Sequence, residues 1–150
     1  MTVTIRIQPE DFDIGAETAR LRQLTDNTGA IATFTGLVRD LQDGNRIEAL
    51  LLEHYPGMTE KSLRKIVEDA HVRWPLLGVT VVHRIGELKP GDQIVFVAVS
   101  SAHRAAAFAA CEFIMDYLKT KAPFWKKCRQ PDGEHWIAAK DSDQAASDRW

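Results

Sequence analysis

The run from Ala102 to Lys121 constrains this chain more than any other segment. It is rich in alanine and apolar almost all the way round, so a helix formed from it must be largely buried. Ser101 is placed to cap its start, and Pro123 ends it, because proline cannot donate the backbone hydrogen bond of a continuing helix. A buried helix of this length needs an apolar surface to lie on, and the rest of the chain reads as strands that could supply one. Val79-Thr-Val-Val-His-Arg84 and Gln93-Ile-Val-Phe-Val-Ala-Val99 are strand-like runs, separated by the turn signal Pro90-Gly91-Asp92. Val3, Ile5 and Ile7 alternate with polar residues, as in a half-buried strand. Ala30 to Gly36 predicts another strand. Arg46 to His54 predicts one with Leu50, Leu51 and Leu52 buried on both sides, stopped by Pro56-Gly57. Thr59, Leu63, Ile66, Val67, Ala70 and Trp74 recur at steps of three and four, which predicts a second long helix with Thr59 as N-cap and Pro75 as its end. A short helix is expected through Ala16–Leu24. Beyond Pro123, Phe124–Arg129 and Glu134–Ala139 read as two short strands joined at Pro131-Asp132-Gly133, with a polar tail from Lys140. This order predicts an α+β fold with mainly antiparallel strands and two main helices.

Composition narrows the functional classes. At 150 residues, 45% hydrophobic and 27% charged, the chain is expected to form one domain, residues 1–150, with a core of its own. That balance excludes a disordered tail, a collagen-like repeat and a disulfide scaffold. No apolar run approaches the roughly 18 residues of a membrane span, and Met1 to Arg6 lacks a signal layout, so a soluble cytosolic protein is expected. The net charge of −2 argues against a general nucleic-acid or membrane binder. Yet Lys119 to Arg129 holds five cations and no acid, which favours a small anionic ligand over a polyanion. Cys111 and Cys128 lack metal-ligand spacing and are read as reduced structural thiols.

Three places could carry chemistry. His103-Arg104 opens the long helix, where cations oppose the dipole by ~0.3–1 kcal/mol each. Either an anion site draws on that helix start and these two side chains, or the start is simply solvated; the weak opposing energy favours the plainer reading. Lys119 and Lys126 flank the break at Pro123. Brought together, clustered and partly buried, such amines would lose protons near neutral pH. The competing reading pairs Lys119 with Asp116 on a wet helix face, as common surface pairs do. Arg39 follows Gly36 at a strand end, a usual place for ligand groups. Phe124 and Trp125 could stack on a flat ring but read more simply as core aromatics. His54, His71, His83 and His135 form no metal-ligand pattern, and no phosphate-loop, dinucleotide or hydrolase motif occurs. Local spacing therefore names no activity.

Longer segments do. Thr35-Gly-Leu-Val-Arg39, Leu52-Glu-His-Tyr-Pro-Gly-Met-Thr-Glu60, His83-Arg-Ile-Gly-Glu-Leu-Lys-Pro-Gly-Asp92, Ser101-Ala-His-Arg104 and Phe113-Ile-Met-Asp-Tyr-Leu-Lys-Thr-Lys-Ala-Pro-Phe-Trp-Lys126 resemble the large, catalytic subunit family of molybdopterin synthase. The resemblance spans nearly the whole chain. It implies an α/β-hammerhead-like domain with an additional antiparallel sheet. It also implies a sulfurtransferase that adds two sulfurs to cyclic pyranopterin monophosphate, forming the dithiolene of molybdopterin. Sulfur would arrive as a thiocarboxylate on the C-terminal Gly-Gly of a small ubiquitin-like partner, with large subunits pairing as a homodimer inside a heterotetramer. No cofactor or metal is implied for this step, since molybdenum enters later.

Carried onto these residues, the resemblance makes Lys119 and Lys126 catalytic. Lys119 would be nucleophile or proton shuttle, and Lys126 would orient the thiocarboxylate and stabilise the oxyanion formed as sulfur leaves. Arg39, His103 and Arg104 would hold phosphate and pterin, with backbone help from Leu37-Val38 and Lys127-Cys128. Lys140 is a further candidate on charge alone. Positions 103 and 119 are sixteen residues apart on one expected helix, or ~24 Å. They cannot both line one small pocket of a single chain, so a composite site is expected, with His103 and Arg104 supplied by the dimer mate. The rival readings are a phosphate- or RNA-binding module using residues 119–129, and a non-catalytic partner of a ubiquitin-like protein.

Overall fold

A computed structural model describes all of residues 1–150. In chain order its elements are β1 (Thr2–Gln8), α1 (Ile14–Arg22), β2 (Ala30–Leu37), β3 (Leu41–Gln42), β4 (Asn45–Arg46), β5 (Ala49–His54), α2 (Met58–Arg73), β6 (Gly78–Arg84), β7 (Gly86–Leu88), β8 (Gln93–Ser101), α3 (Arg104–Lys121), β9 (Phe124–Gln130), β10 (Gly133–Trp136) and α4 (Asp141–Asp148).

The main sheet runs β1-β6-β8-β2, antiparallel except for the parallel pair β1 and β6. Strand alternation sends Val79, Val81, Val95, Val97 and Val99 to one face. There they meet Leu63, Ile66 and Val67 of α2 and Phe113, Ile114 and Leu118 of α3. Val82, Phe96 and Ala98 go to the other face, against Phe12 and Leu21 of the α1 region. Cover on both faces is why β6 and β8 read as nearly continuous apolar runs. Each such buried side chain contributes ~1.5–3 kcal/mol, which makes this sandwich of helix and sheet the chief source of stability.

The second sheet, β10-β9-β5-β7, is antiparallel throughout. Leu50 and Leu52 of β5 pack with Val38 and Leu88 in a separate small core. Leu51, on the opposite face, is only half-buried, which corrects the expectation that all three leucines are enclosed. The three-residue β7 was not foreseen, since only Leu88 in it is apolar and buried.

Both expected caps are displaced. Gly57, at φ 84°, is the N-cap of α2, and its N–H donates to the Glu60 carboxylate at 2.6 Å. Thr59 lies inside the helix, fully buried, where its hydroxyl accepts from Tyr55 N and donates to the Pro123 carbonyl, both at 2.9 Å. Ser101 ends β8 instead of capping α3, because its hydroxyl donates to the Pro75 carbonyl at 2.8 Å; His103 is the N-cap residue. Nor is α3 enclosed all round: Phe108 is 67% exposed. The polar tail forms α4 and closes on α3. Ser147 donates to the Asp116 carbonyl, Arg149 pairs with Glu112 and Asp116, and the Trp150 ring meets Trp74 and Phe113 edge-on.

Candidate active site

The reversal of chain between α3 and β9 builds the centre of the site. Ala122, preceding proline, is extended at φ −92° and ψ 132°, which stops the helix. Phe124 N then donates back to the Ala122 carbonyl at 3.0 Å, folding the chain over one residue. Thr59 holds the same turn from α2 through its bond to Pro123. β9 runs back along β5 with Phe124 opposite His54 and Lys126 opposite Leu52. Lys119 and Lys126 are thereby brought onto the walls of the same two cavities.

Two adjoining cavities meet at this pair. The larger, about 580 Å³, is walled by Leu37–Arg39, Lys119, Phe124–Lys126 and the segment Trp136–Lys140, with Asp143 at its edge. The smaller, about 430 Å³, includes Phe34–Leu37, Arg39, His83, Lys119, Phe124 and Lys126. Arg39 reaches both because its loop is latched: Val38 N donates to the Asp92 carbonyl at 2.9 Å, and Gly91 N donates to the Val38 carbonyl at 2.8 Å. A bulge precedes it. The β2–β8 register slips between Gly36 and Leu37, leaving Ile94 as the extra residue on the cavity wall.

Charge in the site is one-sided. Burial is the main cause that brings Lys126 down to about 8, followed by the neighbouring ammonium of Lys119; Asp143 works the other way, and Lys140 adds to the depression. The surface pairing of Lys119 with Asp116 is not formed. Asp116 is occupied by Arg149 at 3.0 Å and by Trp150 Nε1 at 2.6 Å. Lys119 is thus left without that partner and lines the cavity.

Leu37, Val38, Arg39, Lys119, Lys126 and Lys140 are therefore gathered around one space. Other expected residues are not. His103 and Arg104 are exposed at the opposite end of α3, ~24 Å along the axis from Lys119. Lys127 lies over the Trp136 ring at 4.3 Å, and Cys128 is buried; neither lines the cavities. β9 is flanked by β5 and β10, so the backbone groups of both residues face ladder partners. Trp125, expected in the core, is 44% exposed at the cavity rim. The sequence reading missed Asp143 and His83. Asp143 sits in an unforeseen helix, and His83 was set aside because metal spacing was the only signal sought.

The cations of residues 119–129 do not form one basic surface. Lys119 and Lys126 face the cavities, Lys121 borders a separate hollow between α2 and α3, Lys127 covers a tryptophan, and Arg129 pairs with Glu87 and Glu134. The five cations are thus dispersed and do not form the continuous strip that an RNA-binding module would use. Both cysteines are free and buried, and burial pushes the Cys111 thiol up to about 11, which leaves it unreactive.

Comparison with known proteins identifies the chain's relatives. Residues 7–121 match the sequence model of the family described as MoaE protein. The molybdopterin synthase catalytic subunit of Escherichia coli is 57% identical over 146 residues, covering 97% of each chain. Among solved structures, the molybdopterin biosynthesis MoaE protein from Burkholderia ambifaria superimposes with a TM-score of 0.86 at 57% identity, over 100% of this chain and 98% of that one. The molybdopterin synthase from Staphylococcus aureus gives a TM-score of 0.80 at 36% identity, over 88% and 95%. With its fold and nearly its whole length matched, this chain belongs to the MoaE protein family, whose relatives are catalytic subunits of molybdopterin synthase.

Proposed function

We propose that Lys119, Lys126 and Arg39 carry out the sulfur transfer of a molybdopterin synthase, moving sulfur from a thiocarboxylated protein tail to cyclic pyranopterin monophosphate. The observation that carries the reading is the lysine pair itself: two amines that line the same two cavities, one of them with its proton affinity lowered to about 8. The family to which the chain belongs supports the same chemistry.

The roles follow from charge and position. Arg39 offers a guanidinium to the substrate phosphate, the geometry that favours two parallel hydrogen bonds. Leu37 and Val38 line the same wall. The C-terminal Gly-Gly of a small ubiquitin-like partner enters the larger cavity, which the chain Trp136–Lys140 borders. The thiocarboxylate sulfur attacks a side-chain carbon of the pterin as a carbon–oxygen bond at that carbon breaks, giving a thioester. Water then adds to the acyl carbon, the acyl carbon–sulfur bond breaks, and the carrier departs as a carboxylate while the sulfur stays on the pterin as a thiolate. Charge gathers on the acyl oxygen in that step, and the Lys126 ammonium stabilises it. Lys119 is the nucleophile or the proton shuttle. His103 and Arg104 complete the phosphate site from the mate of a homodimer, within a heterotetramer. The 150 residues act as a single domain. Their free cysteines suit a reducing, cytoplasmic location.

The test is a reconstituted sulfur-transfer assay with thiocarboxylated partner and pterin substrate. Lys119→Ala is expected to lower product formation by at least about a hundredfold, the scale of a lost acid, base or nucleophile, with an unchanged melting temperature. Near-normal turnover in that variant removes Lys119 from the chemistry.

A further inference from the structure

His83 is sealed beneath the lysine pair, at 3% exposure. Alternation along β6 places it on the face of Val79 and Val81, the face covered by α2 and α3. Its ring stacks on Phe124, with centroids 3.8 Å apart and planes 17° apart. Its Nδ1 lies 2.7 Å from the Arg84 carbonyl. A carbonyl only accepts, so Nδ1 carries the hydrogen and Nε2 keeps a free lone pair. The ring also lines the smaller cavity beside Lys119 and Lys126.

The surroundings keep this ring neutral. Burial is the main cause that brings its proton affinity down to about 3, and Lys126 of β9, Lys119 of α3 and His54 of β5 all repel an added charge. Arg39 is a further cation on the same cavity. No acid offsets them at the ring: Glu60 of α2 is engaged with His54 at 3.5 Å, and Asp143 acts on Lys126 beside Lys140. Arg84 is turned away, donating to the carbonyls of Pro9 and Gln93.

We propose that His83 is a positioning residue for the lysine pair: its ring holds Phe124, and with it the turn that carries Lys126, while Nε2 offers the amines an uncharged acceptor inside the cavity. Neutrality is what the position requires. A carboxylate there would ion-pair with the Lys126 ammonium and cancel the charge meant for the acyl oxygen, and a cation would drive the amines apart. A neutral imidazole orients the ammonium and leaves its charge for the reaction. The inference rests on the reading that the lysine pair performs the transfer.

The deciding variant is His83→Phe, which keeps a stacked ring and removes both nitrogens. Assayed with the thiocarboxylated partner, it is expected to lose about tenfold in kcat, with KM for the pterin within about twofold of wild type, the mark of a misaligned catalytic group. Loss of the acceptor weakens the protonated form of Lys126, whose ammonium the transfer uses, so the alkaline limb of the pH profile moves down by about half a unit. His83→Gln, which restores an acceptor, should recover part of kcat. A wild-type kcat and profile in His83→Phe overturns the proposal. So does a loss that merely tracks the folded fraction with the profile unmoved; should His83→Phe fail to fold, the profile of His83→Gln decides. Lys126→Ala separates the two claims: full activity in it defeats the lysine reading, whereas an inactive Lys126→Ala beside a normal His83→Phe defeats only this one. Carbon-13 titration of Lys126 in His83→Phe, shifted or unshifted, judges His83 without reference to activity.

Discussion

At Lys126, burial and a neighbouring ammonium both oppose the protonated form, and the folded chain holds its proton affinity at about 8 against 10.5 for a free lysine. Between those values the unfolded chain binds more protons than the folded one, so this residue makes stability rise with pH through that window. Below it the folded state carries the full penalty, on the order of 3 kcal/mol at 1.36 kcal/mol per pH unit. Such a cost at a cavity fits a site kept for chemistry over stability. Lys126→Met should therefore raise the melting temperature at pH 7 by about 5 °C, and by much less at pH 10, while abolishing sulfur transfer. Thermal melts at the two pH values check this; an unchanged or lower melting temperature at pH 7 contradicts the account.

The site is assembled where secondary elements end, and there the hydroxyl of Thr59 matters more than its helix. It joins α2 to the carbonyl of Pro123, across 64 residues of sequence. Thr59→Val keeps the shape and loses that bond, leaving the Pro123 carbonyl and Tyr55 N without their partner. A cost of about 1–3 kcal/mol is expected in denaturant melts. The accompanying loss in kcat at a temperature where the variant is fully folded should exceed that of a control such as Val72→Ala, because the turn that pairs the lysines loosens. Equal activity in the two variants counts against a role for this latch. The same residue marks the limit of sequence reading. Helix periodicity located α2 and α3, and apolar runs located β6 and β8, because those patterns arise from burial in this one sandwich. Thr59 and Ser101 both have the side chains of good caps, but each hydroxyl is taken by a distant carbonyl that local sequence does not reveal. β7 and α4 were missed for a related reason: the three residues of β7 are held by pairing with β5, and α4 by polar and aromatic contacts to α3. The lysine pair was only half legible: proline marks the break between the two residues, but local sequence favoured a surface pairing of Lys119 with Asp116, and the family resemblance is what singled the pair out. The neutral His83 was not, because its meaning comes from what lies above it in space.

On the scale of the whole molecule, the cavity is rich in cations at one end of α3 while another cationic pair, His103 and Arg104, stands exposed at the other. α3 keeps them about 24 Å from Lys119 within one chain. A second copy running antiparallel along this helix would bring the two ends together, and Phe108, exposed one turn from Arg104, is apolar surface for it to cover. Two equal sites then form per dimer, each using residues from both chains. This arrangement makes a sharp prediction. Lys119→Ala and His103→Ala, each inactive alone, should regain activity when their subunits exchange. In a mixed dimer one site carries both lesions and the other carries neither. If half the dimers are mixed, about a quarter of all sites are intact, and close to a quarter of wild-type turnover is expected. Mass spectrometry of differently tagged chains establishes that exchange has occurred. Exchange without any recovery of turnover means that each chain builds its site alone, and His103 and Arg104 then serve some other purpose.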